Sequence, residues 1–141
     1  MDRKQVETEL KRLVVPTLRE MGFKGSFPNF YRCAGEFVSL LNFQFYSSGG
    51  SLCINISFAD PARENVNFRK ETEPKKLTIS QTTERARLGA TSQKGDYWFS
   101  FGKTSYGELR GSPAQVEEMA EKINNLLKVQ AEPWWVSKCT S

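Results

Sequence analysis

Val6, Leu10, Leu13, Val14, Leu18 and Met21 recur at steps of three and four, which places them on one face of a helix over about residues 3–21. Gly22 follows as a left-handed C-terminal cap, with Phe23 placed to fold back on the last turn. Pro16 removes one backbone donor inside this stretch, so a kink is expected there. The period then changes from helical to two. Phe30 to Ala34, Phe37 to Tyr46 and Ser51 to Phe58 are rich in aromatic and β-branched residues. Gly35-Glu36 and Ser47-Ser48-Gly49-Gly50 separate them as turns, which predicts an antiparallel meander. A second turn centred on Ser48-Gly49 sets Phe45 opposite Leu52, Phe43 opposite Ile54 and Leu41 opposite Ile56. The same register sets Asn42 opposite Asn55 and Gln44 opposite Cys53 on the reverse face, and a slip of one residue would bury these polar groups.

Residues 60–76, with Pro61, Pro74 and many charges, read as a long exposed loop. Leu77 to Ser80 suggests a short strand, and Glu84 to Ala90 fits strand or helix. Lys94-Gly95-Asp96 forms a turn into a strand over Tyr97 to Phe101, with Tyr97, Phe99 and Phe101 on one side and Trp98 on the other. The last helix starts at an expected N-cap, Ser112, with Pro113 at the first helical position and Gln115 completing a capping box. Val116, Met119, Ala120, Ile123, Leu126 and Leu127 form its buried stripe, and Pro133 is expected to stop it. The pattern predicts an α+β fold: an antiparallel meander sheet of about 4–5 strands flanked by an N-terminal and a C-terminal helix. Residues 1–132 form the single domain on this reading, and residues 133–141 a C-terminal tail.

A chain of 141 residues is long enough for one core without metals or disulfides. Cys33, Cys53 and Cys139 are odd in number and lack C-x-x-C spacing, unlike a secreted disulfide framework. The first residues have no apolar leader, and no apolar run nears the ~20 residues of a membrane span. A cytoplasmic protein that does not enter membranes is expected.

The net charge of +4 is small and dispersed, and the basic group Arg69-Lys70 with Lys75-Lys76 is broken by Glu71 and Glu73. A double-stranded RNA-binding domain would need cations at the start of the last helix, where Glu117 and Glu118 stand instead. The absence of histidine removes the Ser-His-Asp and Cys-His systems and the histidine-ligated zinc enzymes. No phosphate loop is present and the scattered cysteines make no metal site, so neither cofactor nor metal is expected.

Two features remain as candidates. Asn42, Gln44 and Asn55 form a polar strip at strand centres, where such residues are depleted. Arg85 and Arg87 could supply charge beside it and Trp98 an aromatic wall, making a site for an unknown protein or small ligand. Trp134 and Trp135 are candidates for docking on the chain's own sheet or helix, or for self-association, leaving monomer or homodimer open. The residues favour a non-enzymatic binding or protein-interaction module, one form of which is immunity- or adaptor-like. The alternative is a weak RNA or DNA binder using Arg85, Arg87, Lys94 and neighbouring aromatics.

Gly22-Phe23, Phe30-Tyr31-Arg32, Asn42-Phe43-Gln44, Ser47-Ser48-Gly49-Gly50, Asn55, Arg85-Ala86-Arg87-Leu88-Gly89 and Asp96-Tyr97-Trp98-Phe99 follow one another in a distinctive order. Over roughly residues 5–101 the chain resembles a bacterial family of domains of unknown function, numbered forty-three hundred and four. The resemblance implies a small stand-alone bacterial α+β protein and brings no activity, substrate or catalytic residue with it.

Overall fold

Every fourth residue from Val6 to Leu18 is apolar, and the computed structural model, which describes residues 2–60, 73–92, 95–108 and 114–140, buries that line completely. Val6, Leu10, Val14 and Leu18 are each 0% exposed. Asp2 caps helix α1 (Arg3–Leu13), accepting from the Gln5 amide at 2.8 Å while Gln5 accepts from the Asp2 amide at 3.0 Å. The kink expected at Pro16 is a break at Val14, after which α2 (Val15–Glu20) continues the same face. Proline supplies no N–H to the preceding turn and its ring displaces the carbonyl it would have bonded. Asn124 donates to the Leu13 carbonyl at this break, at 3.0 Å. Gly22, at φ 95°, then closes the helix in a Schellman motif: its amide bonds the Arg19 carbonyl at 3.0 Å and the Phe23 amide bonds that of Leu18 at 2.9 Å.

The sheet contains β1 (Lys24–Ser26), β2 (Asn29–Ala34), β3 (Phe37–Phe45), β4 (Ser51–Ala59), β5 (Arg85–Arg87) and β6 (Phe99–Ser100). Strands β1 to β5 lie in sequence order, all antiparallel, and β6 pairs with the other end of the β4 edge that β5 uses. The expected β3–β4 register is present residue for residue: Leu41 faces Ile56, Asn42 faces Asn55, Phe43 faces Ile54, Gln44 faces Cys53 and Phe45 faces Leu52. Leu41, Phe43, Ile54 and Ile56, at most 3% exposed, join the helices in the main core. The reverse face carries a smaller cluster of Val38, Leu40, Ala59 and Ile79, with Tyr31 and Leu77 against it.

Four expectations change ahead of the C-terminal segment. Strand β1 is additional to the predicted meander. The short strand expected at Leu77 to Ser80 is a 3-10 turn, Ile79–Gln81, whose Thr82 hydroxyl bonds the Ile79 carbonyl at 2.7 Å and also bonds the Ser57 hydroxyl. The strand expected over Tyr97 to Phe101 contracts to Phe99–Ser100. Ser112 and Pro113 lie outside the described residues, but Gln115 is the N-cap of α3 (Val116–Leu126), with extended backbone, rather than a position inside its first turn.

Pro133 does not stop the last helix. Residues Leu127–Ala131 form a π turn, in which the Glu132 amide bonds the Leu127 carbonyl, and α4 (Glu132–Thr140) follows directly. Pro133 thus falls in the first turn after the π segment, where a missing donor is tolerated. The region expected as a tail from residue 133 is therefore helix and part of the core. Trp135 is 1% exposed; its Nε1 donates to the Ser57 carbonyl at 2.8 Å and its ring lies 5.1 Å from that of Phe23. Being sealed within its own chain, Trp135 has no surface for self-association. Trp134 is half-buried against Phe58, with Lys138 over its ring. Among the described residues, no helix is long and apolar enough to cross a membrane.

Candidate functional site

The face of the sheet turned away from the helices is divided. The segment 77–82 covers the end of β3 and β4 that holds Leu40 and Ala59, and on β4 Ser51 and Cys53 are buried near the 46–50 turn, while Asn42, Gln44 and Asn55 remain half-buried or exposed. Paired residues in antiparallel strands project to the same face. The pairings Ser26–Asn29, Asn29–Asn42, Asn42–Asn55 and Asn55–Arg87 therefore place five polar side chains in one row across five strands.

At the centre of this row the Asn55 carboxamide nitrogen donates to Asn42 Oδ1 at 2.8 Å and to Gln44 Oε1 at 3.0 Å. That arrangement consumes both donors of Asn55 and one acceptor each on its neighbours. The nitrogens of Asn42 and Gln44 and the oxygen of Asn55 have no partner among the described residues. Asn42 and Asn55 are half-buried and Gln44 is exposed. The strip is thus internally aligned and open to solvent.

Arg87 extends the row. It pairs with Asp96, and its guanidinium carbon sits 5.3 Å from the centre of the Trp98 ring. Asp96 also accepts from Trp98 Nε1 at 3.0 Å and from the Tyr97 amide at 2.9 Å, so one carboxylate fixes both the cation and the indole. Tyr46 meets Trp98 edge-on, with ring centres 5.4 Å apart. Under this cluster Cys53 is buried and donates to Gln44 Oε1 at 3.7 Å. Burial pushes the Cys53 thiol up to about 11, against the opposing pull of the Arg87 charge, so it stays a neutral thiol at physiological pH.

Of the residues singled out in the sequence, Asn42, Gln44, Asn55, Arg87 and Trp98 come together. Arg85 shares the face but pairs with Ser57, one row over, and is exposed. Lys94 lies outside the described residues. Asn29, Ser26, Tyr46, Cys53 and Asp96 were missed. A signal existed for Asn29: the Gly35-Glu36 turn sets Ala34 opposite Phe37, and counting back along that register puts Asn29 opposite Asn42.

The family model described as "Domain of unknown function (DUF4304)" matches residues 14–137. The chain belongs to this family. The match extends beyond the span of the sequence motifs to take in α3 and most of α4, so membership covers the helix that carries Trp135 as well as the sheet. Comparisons with curated proteins and with solved structures gave no match.

Proposed function

We propose that this DUF4304 domain is a non-enzymatic interaction module of the bacterial cytoplasm that binds a polypeptide partner on the open sheet face. The observation that carries this reading is the set of unspent hydrogen-bonding edges at Asn42, Gln44 and Asn55, aligned beside the Arg87–Asp96–Trp98 cluster. A carboxamide carries the same kinds of donor and acceptor as a peptide group, N–H and C=O, so a strip of them suits a polypeptide backbone. The cluster offers no free base or activated nucleophile: Asp96 is held by Arg87 and Trp98, and the Cys53 thiol is neutral. Such chemistry favours binding over catalysis. The three free cysteines suit a reducing compartment.

Panning a random dodecapeptide library on the immobilised domain, with the Asn42→Ala/Arg87→Ala variant as counter-target, tests this. Peptides enriched on the wild type should lose at least tenfold in affinity for the variant, while its melting temperature stays within about 4 °C of the parent. Enrichment indifferent to the two substitutions would defeat the reading.

A further inference from the structure

A cavity of about 500 Å³ opens beside β1, lined in part by Ser26, Asn29, Tyr31, Lys75, Lys76 and Leu77. Ser26 and Asn29 are also the first two members of the polar row that runs through Asn42 and Asn55 to Arg87. Groove and row therefore share residues and form one surface. At a strand spacing of about 4.8 Å, the five-strand row is roughly 19 Å long, the reach of about six extended residues.

The charges on this surface are placed at its two ends. Lys75 and Lys76 stand at the groove, sharing the single carboxylate of Glu73 at 3.7 and 3.9 Å. The row next to the amides runs from Lys24 through Tyr31, Leu40 and Ser57 to Arg85. Its terminal members, Lys24 and Arg85, are exposed and have no ion-pair partner among the described residues. Arg87 shares the Arg85 end. Between these basic ends lie neutral amides.

We infer that the track takes an acidic polypeptide segment in extended conformation, lying across the strands. Its backbone meets the carboxamides, and its carboxylates meet Lys24, Lys75 and Lys76 at one end and Arg85 at the other. This rests on the peptide-binding reading above and adds the partner's chemistry and direction. A single-stranded nucleic acid fits less well. Its charges recur at every nucleotide, so several phosphates would lie over the neutral centre. The Trp98 face on which a base would stack is also already beside the Arg87 guanidinium.

The library selection above supplies the probes. Peptides that depend on Asn42 and Arg87 should be rich in Asp and Glu. Measured by fluorescence anisotropy, they should bind the Lys24→Ala/Arg85→Ala variant at least tenfold more weakly. Both residues are exposed, so this variant keeps the parent's fold. Selected peptides that are neutral or basic, or that ignore Lys24 and Arg85, would overturn the acidic-track inference and leave the peptide-binding face standing. If no selected peptide depends on Asn42 and Arg87, both readings fall. A fluorescein-labelled twelve-nucleotide oligo-dT that binds more tightly than the acidic peptides would reassign the track to nucleic acid.

Discussion

Arg32 and Glu132, a hundred positions apart, are joined by two hydrogen bonds of 2.6 and 2.9 Å between the guanidinium and the carboxylate. Arg32 also bonds the Met21 carbonyl at 3.1 Å and lies 4.7 Å from the Phe23 ring centre and 5.3 Å from that of Trp135. One side chain thereby ties β2 to the end of α2 and the start of α4. A planar fork sustains all of these contacts at once, and an ammonium does not. Arg32→Ala should lower the unfolding free energy by about 2–3 kcal/mol, read as a shifted urea midpoint. Arg32→Lys should recover less than half of that loss. Full recovery by lysine would mean that charge alone matters.

Trp135 gives a graded test of the last helix. Trp135→Phe keeps most of the ring packing and loses the bond to the Ser57 carbonyl, an expected loss of about 1 kcal/mol. Trp135→Ala leaves a cavity and should cost about 3–5 kcal/mol. A chain ending at Glu132 should lose its cooperative urea transition. If that truncated chain instead melts like the parent, α4 contributes nothing to the core.

Cys53 predicts a direction for alkaline stability. Its thiol is raised from 9.0 to about 11 by burial, so the folded chain holds this proton more tightly than the unfolded chain. The contribution is fully present below about pH 9 and is lost as pH rises towards about 11. Urea midpoints across this window should fall, and Cys53→Ala should flatten that fall. At pH 8 a thiol reagent should modify the exposed Cys33 and Cys139 rapidly and Cys53 only on unfolding.

Gly89 packs against Tyr97, the chain neighbour of Trp98. It has φ 94°, and a Cβ there would lie 2.6 Å from the Tyr97 ring. Its amide donates to Gln130 Oε1 at 2.6 Å, and Gln130 Nε2 donates to the Ala90 carbonyl at 2.8 Å, so the π turn holds this loop. Gly89→Ala should cost at least about 2 kcal/mol through backbone conformation and displaced ring together. It should also shift the Trp98 indole N–H resonance. An unmoved resonance would show that Trp98 is positioned by Asp96 alone.

The β3–β4 register was legible because polar and apolar residues alternate from Leu41 to Phe45 and from Ile54 to Phe58, on both sides of one turn. Any slip would bury Asn42 and Asn55 and expose Phe43 and Ile54. Asn42, Gln44 and Asn55 were legible for the same reason. Strand β1 was not: Lys24-Gly25-Ser26 is exposed throughout and is held by its backbone pairing to β2, so no apolar period marks it. With β1 hidden, the groove and the Ser26 end of the row were hidden too. Alternation set Trp98 on the opposite side from Phe99 and Phe101, but Arg87 was left open, because Glu84 to Ala90 fitted strand or helix until Arg85–Arg87 proved to be β5. Asp96, which joins them, looked like a turn residue because its role depends on two side chains, Arg87 on β5 and Trp98 before β6, that only the fold brings together. Pro133 misled because its missing donor signals a helix end only when the turn before it is an ordinary α turn.

That π turn also sets the rotational phase of the last helix. Ile123, Leu127, Ala131 and Trp135 are all buried at steps of four. In an ordinary α-helix twelve residues overshoot three turns by about 120°, and eleven overshoot by only about 20°. The wide turn acts as a single inserted residue absorbed in place, so the helix beyond it keeps its rotational phase. Removing the exposed Val129 alone would convert the segment to a plain helix with Pro133 in its interior, at a cost of about 3 kcal/mol. Removing Val129 together with Pro133→Ala would leave an unbroken helix with Trp135 still facing inward. The wide turn and the proline are thus coupled, and the proline is tolerated only while the extra residue is present.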